Sequence, residues 1–212
     1  MEELFSIEIP ELSKRIIDDL SNHSLPDSDL VSHWVLETSR KFFFDVDVGE
    51  DLLAFQRLVL RWNMEDRGIP PEQRKPIWLY IFSYGGDIDY MWMTLDVIKT
   101  SATPIYTVNL GVAASAAALI FVSGKKRFMM PNARVIIHEG SAQLAGDAVK
   151  VMDQSESYKK QLKQMKEFIL ENTEIPRAQL LKRRNHDWEL DANYCIENKA
   201  CDKIISTMDD II

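Results

Sequence analysis

Two rhythms of apolar and polar residues run through this chain, and the places where one gives way to the other mark its elements. Short, nearly continuous apolar runs predict strands beginning at Phe42-Phe43-Phe44, over Ile77 to Phe82 and Pro104 to Leu110, near Phe128, and over Arg134 to His138. Between them, apolar residues at helical spacing predict helices over Glu50 to Trp62 (Leu53, Phe55, Leu58, Leu60), Ile88 to Ile98 and Ala116 to Val122. Arg67-Gly68-Ile69-Pro70-Pro71 predicts a loop. Alternating strands and helices imply an α/β unit.

The longest predicted helix runs from Asp147 to Asn172, about 38 Å at 1.5 Å per residue. Val151, Tyr158, Leu162, Met165 and Ile169 form an apolar stripe along it. A lone helix of that length must pack on something, so it suggests oligomerisation as well as core. Residues 1–26 form an N-terminal appendage, with Pro10 placed to start a short helix through Leu20 and Asn22-His23-Ser24-Leu25-Pro26 breaking it. The main domain then spans 27–212. It opens on a helix from Asp27 to Thr38, with Leu30, Trp34 and Val35 on one face. No internal repeat or low-complexity tract interrupts it.

Composition narrows the function. The chain has 212 residues, 46% hydrophobic and 27% charged, which suits one soluble globular domain. A net charge of -8 argues against a nucleic-acid partner, since phosphate backbones are bound by clustered cations. The densest basic cluster, Lys182-Arg183-Arg184, is a short helix end. Cys195 and Cys201, six apart and so on different faces of a helix, fit neither a metal pair nor a disulfide framework. With no signal-peptide pattern at Met1-Glu2-Glu3-Leu4, the expected location is cytoplasmic. Thr100 to Gly124 carries no charge, yet Pro104, Asn109 and Gly111 divide it into a strand, a tight turn and a buried helix rather than a membrane span. No Gly-x-x-x-x-Gly-Lys-[Ser/Thr] run is present, so no nucleotide site is expected.

The chemistry concentrates around Gly111-Val112-Ala113-Ala114-Ser115-Ala116-Ala117-Ala118, where an extended run becomes an apolar helix. Small residues leave room for a substrate backbone, and a helix start presents unpaired N–H groups to an oxygen that gains charge. Ser115 is either a nucleophile or a buried, hydrogen-bonded serine in a packing seam. His138 ends an apolar strand, where it is either a general base or a satisfied structural histidine. Asp187 either orients such a base or caps a loop.

Taken together, four motifs resemble the ClpP family, the proteolytic subunit of the ATP-dependent Clp protease. They are Ile81-Phe82-Ser83-Tyr84-Gly85-Gly86, the segment around Ser115, Val135-Ile136-Ile137-His138 and Asn185-His186-Asp187, and the likeness runs from about Asp27 to Ile205. It implies an α/β fold, a ClpP/crotonase-type superhelix of β-β-α units whose long protruding helix is used in ring-ring contacts. It implies a serine endopeptidase with Ser115 as nucleophile, His138 as base and Asp187 as orienting carboxylate. The backbone N–H groups of Gly86 and Ala116 would form the oxyanion hole, and Gly85 with Ser141, Ala142 and Gln143 would bind extended substrate. No cofactor or metal is implied. The implied partners are further copies of the chain in two stacked heptamers, a hexameric AAA+ unfoldase and unfolded protein substrates. Trp78 and Tyr80 match aromatic positions that help line the family's partner-docking cleft. Two rivals are a crotonase-type acyl-CoA enzyme and a non-catalytic ring subunit.

Departures from the pattern are Tyr84 where proline is usual, Glu139 for glutamine, His186 for arginine and Lys199 for a glycine. If Glu139 and His186 met across a ring interface, they would form a pH-sensitive contact.

Overall fold

The computed structural model describes residues 28–140, 145–183 and 186–211, the side chains of 28–30 and 33 excepted. The 1–26 appendage and its Pro10 to Leu20 helix lie outside the described residues. Contacts divide the chain between Ser39 and Arg40 into two units. What is described of the first is helix α1 (Ser28–Thr38).

The second unit, Arg40–Ile212, is an α/β sheet whose elements as far as the long helix follow the order the hydrophobic pattern predicts. Strand β1 (Lys41–Phe44), helix α2 (Leu52–Glu65), strand β2 (Ile77–Ser83), helix α3 (Ile88–Thr100), strand β3 (Ile105–Ala114) and helix α4 (Ala116–Ser123) come first. Strands β4 (Lys126–Met129) and β5 (Arg134–Ile137), helices α5 (Ala148–Asn172) and α6 (Arg177–Lys182), strand β6 (Trp188–Asp191), helix α7 (Ala192–Glu197) and strand β7 (Lys203–Ile204) follow. The strands form one sheet in the order β1-β2-β3-β4-β7, parallel along that path.

Period-two alternation explains its two faces. Ile77, Leu79 and Ile81 of β2 enter the main core with the helices. On the opposite face Tyr80 joins Val108, Phe128, Ile205 and Ile211, with Trp78 and Tyr106 packed against them. The Tyr80 hydroxyl donates to the Ile211 carbonyl, and burial pushes its phenol up to about 12. The uncharged Thr100 to Gly124 segment is the end of α3, all of β3 and all of α4. Every residue of α4 is buried, and among the described residues no helix is long and apolar enough to cross a membrane.

Strand β3 changes neighbours half-way. Its first half pairs with β4 and its second half, Val112 to Ala114, with β5. Asn109 holds the fork: fully buried, its side chain donates to the Arg134 carbonyl at 2.9 Å and accepts from Gly111 N–H at 3.1 Å. The strand therefore runs on through Ala114, past the turn expected near Gly111, and only Ser115 separates it from α4. An ion pair anchors the start of the unit, with Arg40 making two 2.7 Å bonds to Asp66 and Thr103 adding a third at 2.8 Å.

Helix α5 closely matches its expected span, capped by Asp147, which accepts from Lys150 N–H at 3.0 Å. The expected stripe, from Val151 to Ile169, is buried or half-buried throughout, and the exposed apolar residues of this helix lie off it. Met165 and Ile169 are buried in this unit's own core, with Leu162 packed against it. Toward the N-terminal end Val149 and Met152 are 68% and 70% exposed, so that end is the part of the helix available to another surface. The two cysteines are both buried free thiols, but they do not share a helix. Cys195 lies on α7, whereas Cys201 follows a turn and donates its N–H to the Cys195 carbonyl at 3.1 Å. Burial pushes the thiols up to about 12 and about 11.

Candidate active site

Ser115 occupies the single-residue junction between β3 and α4, with φ 55° and ψ -123°. A positive φ is unfavourable for a residue with a Cβ, costing about 1–3 kcal/mol, and such residues cluster at functional sites. Here the sharp turn lifts the hydroxyl off the end of the strand. The turn is fixed from both sides: Ser115 N–H donates to the Ile136 carbonyl at 2.8 Å, and its own carbonyl accepts from Ala118 at 3.0 Å. The side chain makes no capping hydrogen bond.

The glycine pair after β2 packs directly against this junction. A Cβ on Gly85, whose φ is +104°, would fall 2.6 Å from the Ser115 Cβ and 3.1 Å from the Ala116 nitrogen. Gly86, φ +150°, forms a parallel bridge with Val48, and a Cβ there would fall 2.4 Å from the Val48 carbonyl oxygen. Val48 bonds the flanking groups, accepting from Asp87 N–H and donating to Gly85 C=O. In a bridge of this kind the central residue's own N–H faces away from its partner strand. The Gly86 N–H is thus directed away from Val48. Ala116 is the first residue of α4, so its N–H has no acceptor within the helix. The close approach of Gly85 to Ala116 brings the two segments carrying these donors together.

His138 and Asp187 flank the end of a strand pair, one strand of which the sequence pattern does not reveal. Strand β6 pairs antiparallel with β5, and Ile137 faces Trp188 in its last pair. One step further out, His138 follows Ile137 while Asp187 precedes Trp188. Opposed residues of an antiparallel ladder lie about 4.5–5.5 Å apart at Cα and share a face. The ladder itself ends at Ile137 and Trp188; continued by one step, its register would set His138 opposite Asp187, near Ser115, whose N–H bonds the Ile136 carbonyl. Asp187 and His186 are both exposed. Among the described residues neither a Ser115–His138 nor a His138–Asp187 hydrogen bond is formed. Instead His138 Nδ1 accepts from Gly140 N–H at 3.0 Å.

Beside these residues is a cavity of about 30 Å³, enough for a water molecule. Ser115, His138, Glu139, Met165, Lys166 and Trp188 are in its wall. Glu139 is paired within the same chain, to Lys166 of α5. One of its oxygens is therefore engaged within the chain, and a Glu139–His186 contact would have to use the other. Ser141, Ala142 and Gln143 lie outside the described residues.

A junction serine, an imidazole, an opposed carboxylate and two converging backbone donors are the parts needed for acyl transfer through a serine nucleophile. A family profile described as Clp protease matches residues 70–208. The chain belongs to the Clp protease family. Curated relatives in the Clp protease family include the ATP-dependent Clp protease proteolytic subunit 2 of Treponema pallidum (strain Nichols). It is 30% identical over 139 residues, 65% of this chain and 70% of the relative. Its counterpart in Treponema denticola is 32% identical over the same shares. The ATP-dependent Clp protease proteolytic subunit of Paracoccus denitrificans is 30% identical over 139 residues, again 65% and 70%. The Clp protease match begins before β2 and runs past β7, so it takes in Gly85, Ser115, His138 and Asp187.

Three site residues escape sequence reasoning. Val48 carries no local signal, and neither does Ile136, whose contribution is only a carbonyl. Lys166 sits 27 residues from Glu139 on a helix rich in lysine.

Proposed function

We propose that this chain is the subunit of a serine endopeptidase that cleaves unfolded polypeptide inside a ring-shaped chamber. The observation that supports this reading is the β5–β6 register, whose last pair, Ile137 with Trp188, would bring His138 and Asp187 into opposition one step on, beside the junction at Ser115. In the reaction, Ser115 Oγ attacks the scissile carbonyl while His138 takes its proton and later returns it to the leaving amine. Asp187 accepts the Nδ1–H, fixing the tautomer and stabilising the imidazolium. The N–H groups of Gly86 and Ala116 receive the oxyanion, where one such donor is worth about 2.7–4 kcal/mol. Gly85 with Ser141, Ala142 and Gln143 would hold the substrate main chain by strand-like pairing.

The exposed apolar end of α5, with Val149 and Met152, supports assembly into two stacked rings of seven. Trp78, half-buried on the sheet face where Tyr80 lies buried, would help receive a hexameric AAA+ unfoldase, which supplies the ATP chemistry, and the assembly would work in the cytoplasm. A second reading, a ring subunit without activity, is favoured by one observation, the engagement of His138 Nδ1 by Gly140.

A fluorophosphonate probe separates the two. An adduct mapped to Ser115 by mass spectrometry is expected for the peptidase. Unmodified Ser115 in folded, assembled protein would overturn it in favour of the silent subunit.

A further inference from the structure

The turn after His138 is gripped by helix α5 at two points. Lys166 pairs with the Glu139 carboxylate, their side chains about a quarter exposed, and the Tyr158 hydroxyl donates to the Glu139 carbonyl at 3.0 Å. The next residue, Gly140, has φ +75°, and a Cβ there would fall 3.1 Å from the Tyr158 oxygen. Its N–H donates to His138 Nδ1 at 3.0 Å.

We infer that Lys166 is a positioning residue that acts through the Glu139–Gly140 turn, holding His138 with Nδ1 unprotonated in a resting form of the site. The inference rests on the serine-peptidase reading. A neutral imidazole carries one proton on one nitrogen. With Nδ1 accepting from Gly140, that proton is on Nε2. The ring then cannot offer Nδ1–H to Asp187 and keep Nε2 free to take a proton from serine, as a base oriented by a carboxylate must.

To become competent, the turn rotates so that the Gly140 N–H leaves Nδ1. One proton then moves from Nε2 to Nδ1 through solvent. No bond other than these N–H bonds changes, and no further reactant is needed. The Lys166 and Tyr158 contacts resist this rotation because both hold Glu139, the hinge of the turn. Helix α5 thereby links its own position to the protonation pattern of the base. The link is specific to a carboxylate at 139 facing a cation at 166.

The test uses full-length protein containing histidine labelled with 15N at Nδ1 alone, observed by solid-state NMR so that assembly size is no obstacle. A His138→Gln sample identifies the His138 signal. The expected result is an unprotonated Nδ1 in wild type and in Lys166→Arg, and a protonated Nδ1 in Lys166→Met. In parallel, Lys166→Met should raise kcat on a short fluorogenic peptide by on the order of fivefold, the ratio one ordinary hydrogen bond controls, at unchanged KM. Lys166→Arg should match wild type. If Lys166→Met does not fold, Glu139→Gln carries the same expectations. A His138 signal that is the same in wild type and the charge-removing variant, or a kcat that does not rise, overturns the inference. Fluorophosphonate labelling of each sample keeps the two readings apart. Without an adduct on Ser115 in any sample the peptidase reading fails and the positioning role with it, whereas an adduct with a signal indifferent to Lys166 ends the positioning role alone.

Discussion

Trp188 faces Ile137 in the final pair of the β5–β6 ladder, with His138 and Asp187 the residues one step beyond it. A slip of one residue would turn the carboxylate to the other face of the sheet. Trp188 and Leu190 are buried while Glu189 and Asp191 are exposed, so burial of one face enforces the register. The proposed pairing of His138 with Asp187 thus depends partly on a tryptophan that does no chemistry.

From that register, Asp187→Asn should lower kcat by about 10⁴, because the amide no longer favours the required tautomer. The position is exposed, so unfolding free energy should shift by less than about 0.5 kcal/mol. Peptide kinetics beside a urea titration check both halves. Activity within a few-fold of wild type would mean that Asp187 merely precedes the strand.

The Arg40–Asp66 pair should dominate the acid stability of this unit. Hydrogen bonding to the Arg40 guanidinium holds the buried Asp66 carboxyl below its usual range. The sign follows from a lowered folded value: the contribution is complete above the unfolded value of about 3.9 and is lost as pH falls through the folded one. Asp66→Asn should cost about 3 kcal/mol at pH 7, since it removes the nearer, buried counter-charge of Arg40 and leaves only the exposed Glu65 at 3.8 Å. Urea unfolding from pH 7 down to pH 3 should show the gap between wild type and variant narrowing only at the acid end.

Lys199 adopts φ +50° just past the end of α7, the left-handed position where helices commonly end on glycine. The glycine usual there in the family thus has a conformational reason. Lys199→Gly should stabilise the protein by about 1 kcal/mol, since a left-handed residue with a Cβ costs about that much. The lost Lys199–Glu174 pair is well exposed and contributes little. Thermal unfolding should shift upward by about 2–4 °C, as expected for a domain of this size.

Much of the fold could be read from the chain because its strands and helices differ in period. The runs at Ile77 to Phe82 and Pro104 to Leu110 and the helical spacing of Asp147 to Asn172 correspond closely to β2, β3 and α5. Strand β6 was not legible: Trp188-Glu189-Leu190-Asp191 gives only two alternations, too few to separate a strand from a turn. The reach of Met165 and Ile169 into the protomer's own core was hidden too, because an apolar stripe does not say which surface covers it. Ser115 and His138 were readable from small residues at a strand–helix junction and from a histidine ending an apolar strand. Lys166 was not, since its role depends on a fold that brings α5 against the turn at Glu139.

The most direct measurement is hydrolysis of a short fluorogenic peptide by wild type and Ser115→Ala at matched concentration, with oligomeric size determined on the same samples. Removing a serine nucleophile alone costs on the order of 10⁶ in kcat in a comparable triad. Wild type should cleave the peptide, and Ser115→Ala should fall to background at unchanged size. Equal cleavage by the two proteins would contradict the assignment of Ser115 as nucleophile.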